Sequence, residues 1–191
     1  VSHPSLAAAL AQAEDLLRQF REDSATTDAL DRIVDLVAGA FRSGGKLMTC
    51  GNGGSMADAM HVAEEFTGRF RRDRRPYPAI ALGDVTHLTC VGNDFGFDQV
   101  FSRLVEAYGK PGDVLLLLST SGNSNNLVLA AEAARAGGVI VVGALGRGGG
   151  RLAPLCDVIL HAPGEGSDRI QELHMLAMHA VIEAVEFALG H

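Results

Sequence analysis

Five short apolar runs, separated by stretches of helical periodicity, constrain this chain more than any other feature. The runs cover residues 46–50, 79–82, 114–118, 139–142 and 158–160. A strand with one wet face alternates polar and apolar residues. A run that is apolar throughout is covered on both faces, as in a parallel sheet between two layers of helices. Helical patterns fall between the runs, at about 56–66, 99–108, 127–136 and 168–189. The expected class is therefore α/β, a doubly wound five-stranded parallel sheet.

Two helices precede the first run. Leu6, Leu10, Ala13, Leu17 and Phe20 recur at helical spacing, as do Leu30, Ile33, Val34, Val37 and Phe41 before the stop at Gly44-Gly45. No repeat, low-complexity tract or long linker divides the sequence, so one domain spans residues 1–191, with 1–44 as the leading helical pair. The final helix has almost no polar face. Ile170, Leu173, Leu176, Ala177, Met178, Val181, Ile182, Val185 and Phe187 surround it, so it needs cover on more than one side, and a second copy of the chain is the expected cover.

Charge and cysteine content narrow the function classes. Lys and Arg total 16 against 23 Asp and Glu, a formal net charge of −7, which disfavours a nucleic-acid or anionic-membrane binder. No apolar run approaches the roughly 18 residues of a membrane span, and Val1-Ser-His-Pro-Ser5 lacks the basic start of a secretion signal. Cys50, Cys90 and Cys156 are too widely spaced for a disulfide framework or a cysteine zinc site. They read as reduced core or near-core thiols of a cytoplasmic protein.

Two strand-to-helix junctions carry unusual chemistry. Cys50-Gly-Asn-Gly-Gly-Ser55 lets backbone approach a ligand at a helix start. It is not a dinucleotide fingerprint, because Met56 stands where that pattern needs glycine, and no P-loop pattern occurs, so no nucleotide cofactor is expected. Ser119-Thr-Ser-Gly-Asn-Ser124 places four hydroxyls and a glycine ahead of another helix, a cup suited to a phosphate monoester. A plain helix cap needs only one of those hydroxyls.

Ionisable groups stand on two helices. His61 and Glu65 are four residues apart and share a helix face, while Gln171 and His179 are eight apart on the final helix. A carboxylate and an imidazole beside a phosphate site form a natural pair for moving a proton on and off carbon. Two histidines, a glutamate and a glutamine can equally hold a zinc ion. The segment 69–75 holds five arginines in seven residues and reads as a solvated helix end and loop; residues 146–151 read as a flexible loop.

These blocks, with Val91-Gly-Asn-Asp-Phe-Gly-Phe97 and Asp168-Arg-Ile-Gln-Glu172, resemble the sugar isomerase (SIS) family and, within it, the phosphoheptose isomerases. The resemblance runs through nearly the whole chain. It implies a flavodoxin-like SIS fold and conversion of D-sedoheptulose 7-phosphate to D-glycero-D-manno-heptose 7-phosphate through an enediol, the first step towards nucleotide-activated heptose. It implies phosphate binding by Ser119, Thr120, Ser121 and Ser124, and sugar contacts from Asn52, Gly53, Gly54, Ser55, Glu65, Asn93, Asp94, Asp168 and Gln171. Glu65 and His179 become the proton-transfer pair. His61, Glu65, Gln171 and His179 become the ligands of one zinc ion per subunit, and the assembly a homotetramer with sites at subunit interfaces. The segment 162–167 departs from the family by its shortness and by lacking an aromatic residue.

Other readings share the fold. A non-catalytic SIS protein that binds the bacterial replication initiator has no need of Glu65 and His179 as a pair. A sugar-phosphate-sensing regulator would carry a DNA-binding domain for which the chain has neither room nor basic surface. An isomerase of another sugar phosphate, such as an amino-sugar phosphate, would keep the same loops.

Overall fold

A computed structural model describes residues 3–191; the first two positions of the stretch read as carrying no secretion signal, Val1 and Ser2, lie outside the described residues. Five strands form one parallel sheet: β1 Leu47–Gly51, β2 Ala79–Ala81, β3 Val114–Ser119, β4 Ile140–Leu145 and β5 Val158–His161, in the order β2-β1-β3-β4-β5. This is the flavodoxin-like winding expected from the apolar runs. Every residue of β1 and β3 is buried, as a two-sided cover requires.

Among the described residues, seven helices surround the sheet: α1 Pro4–Glu22, α2 Ser24–Arg42, α3 Gly54–Thr67, α4 Val85–Asp94, α5 Ser102–Tyr108, α6 Asn125–Ala136 and α7 Ser167–Ala188. The alternation of strand side chains divides the core in two. Leu47, Leu116, Leu118, Ala144 and Leu160 pack beneath α2, α3 and α7, while Met48, Leu115, Leu117, Val141 and Leu145 pack beneath α5 and α6.

Three sequence expectations need correction. Helix α4 was not expected, because Thr86, Thr89 and Gly92 dilute its apolar period; the Asp84 side chain caps it by accepting the His87 N–H at 2.9 Å. The stretch read as a flexible loop at 146–151 runs into a 3₁₀ segment, Gly150–Leu155, tied to the hydroxyl-rich loop 119–124 by Arg151 N–H donating to Asn123 at 3.1 Å. Of the thiols read as core or near-core, Cys50 is buried, Cys156 half-buried and Cys90 exposed. Burial pushes the Cys50 thiol far above its ordinary range and, with Asp157 beside it, pushes Cys156 up to about 12.

Helix α7 finds most of its cover within the chain. Ile170, Leu173, Ala177, Met178, Val181, Ile182 and Val185 are buried, against α2, α3 and α1, while Leu176 and Phe187 remain exposed. Among the described residues no helix is long and apolar enough to cross a membrane.

Candidate functional site

The strand order places the chemistry. From β1 the chain passes to α3 on one face of the sheet, and from β3 to α6 on the other, so a crevice opens between the carboxyl ends of these neighbouring strands. Both loops singled out in the sequence lie there. Gly51 is required by close approach, since a Cβ on it would stand 2.6 Å from the Ser55 backbone, and Gly53 turns the chain at φ +57°. In the second loop Ser119 Oγ accepts the Gly122 N–H at 3.0 Å. Gly122 sits at φ +64°, where a Cβ would lie 1.9 Å from the Gly149 carbonyl oxygen.

The two loops are clasped together. Asn52 and Asn126 exchange side-chain amide hydrogen bonds of 3.0 and 2.9 Å across the crevice. Above this clasp lies a cavity of about 210 Å³, walled by Asn52 and Ser55 from the first loop, Ser119, Thr120, Ser121 and Ser124 from the second, and Ser167 and Gln171 from α7. Among the described residues no charged side chain lines it. The N-cap residues of α3, α6 and α7 make no side-chain cap bond, and only backbone carbonyls accept from the first turns of α3 and α6, that of Gly53 from Met56 N–H and that of Ser124 from Leu127 N–H. Hydroxyls, amides and helix N-termini without fixed charge suit a dianionic phosphate.

Ten residues beyond Ser55 on α3, a second group forms. The ligand atoms of His61, Glu65 and His179 all lie within 4.8 Å of one another. His61 Nε2 and Glu65 Oε1 are 3.2 Å apart, and the His61 and His179 rings meet edge-on at 5.1 Å. Two imidazole nitrogens and one carboxylate oxygen are a donor set and spacing that fit zinc with an open position left for a small ligand. Gln171 is turned elsewhere, its amide donating to Ser55 Oγ at 3.3 Å. One turn before His61, burial raises the Asp58 carboxyl pKa, opposed in part by His61, and one Asp58 oxygen is buried without a hydrogen-bond partner.

Several expected site residues stand apart from the cavity wall. Asn93 and Asp94 are exposed at the end of α4, with the Asn93 amide donating to Asp94 at 2.7 Å. Asp168 is exposed and lies 3.7 Å from Arg169. Gly53 and Gly54 shape the first loop through their backbone. Conversely, Asn126, Ser167 and Asp58 were not singled out in the sequence. Asn126 lies two residues after the hydroxyl-rich loop and Asp58 precedes His61 by about one helical turn, which are the only signals either one carries.

The arginine-rich segment is mostly solvated, as expected, with one exception. The Arg74 side chain is fully buried, pairing with Glu186 at 2.6 Å and donating to the carbonyls of Glu65 and Phe66 at 2.8 and 2.9 Å.

The SIS domain model matches residues 10–146, a span that takes in both loops and the His61–Glu65 turn. The chain belongs to the SIS domain family. Among SIS relatives, phosphoheptose isomerase of Serratia proteamaculans is 52% identical over 185 residues, 96% of each chain. The structure of phosphoheptose isomerase from Neisseria gonorrhoeae superposes with a TM-score of 0.89 at 38% identity, covering 95% of this chain and 97% of that one. A phosphoheptose isomerase from Francisella tularensis gives 0.91 at 31% identity, over 95% and 96%. The resemblance read from the five sequence blocks thus extends to the whole SIS fold.

Proposed function

We propose that this SIS protein is a phosphoheptose isomerase, interconverting D-sedoheptulose 7-phosphate and D-glycero-D-manno-heptose 7-phosphate. The observation that carries the reading is a charge-free hydroxyl cup and a His–Glu–His cluster placed along one seam between α3 and α7. The identity to named phosphoheptose isomerases supports the substrate.

The reaction moves one proton between C1 and C2. Ser119, Thr120, Ser121 and Ser124 hold the distal phosphate, so binding energy remote from the reacting carbons fixes their position. Asn52, Gly53, Gly54 and Ser55, with Gln171, face the sugar chain, and Asn93, Asp94 and Asp168 close over it. Glu65, oriented by His61 at 3.2 Å, and His179 are the proton-transfer pair. One takes the C1 proton while the other delivers a proton to the C2 oxygen, giving the enediol. The reverse roles at C2 and the C1 oxygen then give the aldose. His61, Glu65 and His179 would hold a zinc ion, with Gln171 the fourth ligand that the family resemblance implies; the ion would supply polarisation of the substrate oxygens.

Gln171 and His179 lie eight residues apart, about 12 Å along α7. The cup and the cluster therefore occupy different levels of the seam, and His61 is exposed. Both facts support a homotetramer in which neighbouring subunits complete each site. The domain extends over residues 1–191, and the protein works in the cytoplasm.

The test is turnover of sedoheptulose 7-phosphate by wild type, Glu65→Gln and His179→Ala, with zinc measured on the same samples. Wild-type conversion with a fall of roughly 10²-fold or more in each variant is expected for losing an acid or base. A wild type that binds the sugar phosphate but leaves it unchanged, with and without zinc, would sink the reading.

A further inference from the structure

The segment 69–75 touches both members of the proton-transfer pair. From one side, the Phe70 ring lies nearly parallel to the His179 imidazole, with centroids 5.7 Å apart and an interplanar angle of 26°. From the other side, Arg74 donates to the carbonyl of Glu65 itself at 2.8 Å, and to those of Phe66 and Gly68 at 2.9 and 3.2 Å. The first two are carbonyls of the last turn of α3, which have no partner within the helix, and the third belongs to its C-cap residue Gly68, so Arg74 acts as a C-terminal cap.

The same segment is riveted to α7 on the stretch that follows His179. Arg71 pairs with Glu183 at 2.5 Å, one turn on, and its guanidinium lies 5.4 Å from the Phe70 ring centre. Arg74 pairs with Glu186 at 2.6 Å, nearly two turns on, with both side chains buried. The exposed Arg71 pair contributes little to stability on its own. Its placement is informative because the same guanidinium lies against the Phe70 ring that meets His179. An imidazole carried on α7 and a carboxylate carried on α3 are thus referred to one short piece of chain.

We propose that segment 69–75 positions the Glu65–His179 pair, with Phe70 setting the plane of the His179 imidazole for proton transfer. Phe70 is a positioning residue: it acts through His179 and needs no contact with substrate. The stacked ring removes one face of the imidazole from solvent and restricts its rotation about the side-chain torsions, leaving the nitrogens at the ring edge free. The inference rests on the isomerase reading above.

The test compares wild type, Phe70→Leu and Phe70→Tyr, alone and in a His179→Ala background. Leucine keeps apolar bulk but has no flat face, whereas tyrosine keeps the ring. Phe70→Leu is expected to lower kcat about 10-fold with KM within about two-fold, as misplacement of a reacting group does. Phe70→Tyr is expected to restore most of the rate. In the His179→Ala background, Phe70→Leu should change kcat by less than about two-fold, because the partner it orients is gone. A purely structural role would lower the unfolding midpoint and reduce kcat equally in both backgrounds, and that result would overturn the inference. So would an active wild type whose Phe70→Leu variant matches it in kcat. An inactive wild type overturns the isomerase reading and this inference with it, so the two failures are told apart by the wild-type assay.

Discussion

His174 is the side chain whose chemistry conflicts most with its surroundings. It is fully buried on α7, and neither ring nitrogen has a hydrogen-bond partner. The nearby Leu145 carbonyl, already accepting from Ala162 N–H at 2.8 Å, favours the charged form but does not bond the ring. Burial wins and lowers the His174 pKa from 6.5 to about 4, with His161 adding to the shift. The sign follows from which state takes up the proton. Between about pH 6.5 and 4 the unfolded chain binds it and the folded one does not, so stability falls as pH falls through that window. The loss attributable to this group is on the order of 3 kcal/mol. Denaturant unfolding of wild type and His174→Leu from pH 7.5 to 4 should show a shallower acid-side decline in the variant; parallel curves would refute the assignment. Nothing in the sequence marks His174 as a buried histidine. Its burial is a property of how α7 lies on the sheet. His61 and Glu65 were legible as partners because a four-residue spacing on one helix already brings them together. That His179 joins them depends on the packing of α7 against α3, which the resemblance anticipated and spacing alone could not.

At the scale of elements, the strands and the placement of the glycine-rich and hydroxyl-rich loops were readable because two-sided burial and hydroxyl or glycine clusters leave direct marks in composition. What escaped was α4, where β-branched residues and a glycine blur the period, and the clasp between Asn52 and Asn126, which joins residues 74 positions apart. The loops depend on backbone shape more than on side chains. Gly122→Ala sets a methyl group against the Gly149 carbonyl and forces a side chain into positive φ, a strain of about 1 kcal/mol or more. Binding of inorganic phosphate, followed by calorimetry, is expected to weaken at least about 10-fold in that variant as the cup is distorted. Gly39→Ala is the matched control. It lies inside α2 with nothing within 4 Å of the added methyl, and should leave phosphate binding unchanged while raising stability slightly. Equal phosphate affinity in Gly122→Ala and wild type would show that the cup is not the anion site.

For the whole molecule, the clearest unfinished business is surface. On α1, Leu6 and Leu10 are 62% and 72% exposed, and on α7, Phe187 is 81% exposed. Large apolar side chains gathered on the leading and closing helices are what an oligomer contact needs. Sedimentation should give a mass near four times 20.0 kDa, and Leu6→Glu with Leu10→Glu should shift it towards smaller species. A monomeric wild type would remove the tetramer from the proposal.

The strand order has one more consequence, and it concerns the growing chain. β1 is the first strand made, yet it ends up between β2 and β3, and its pairing with β3 extends to Leu118. Until synthesis has passed that residue, β1 has an open edge of unpaired amides and carbonyls, and these long-range pairings form slowly. The imidazole at position 179 arrives later still, on the last helix. A nascent chain can therefore complete its glycine- and hydroxyl-rich loops well before it can hold both proposed proton carriers, and on that proposal activity should appear only once the closing helix has docked.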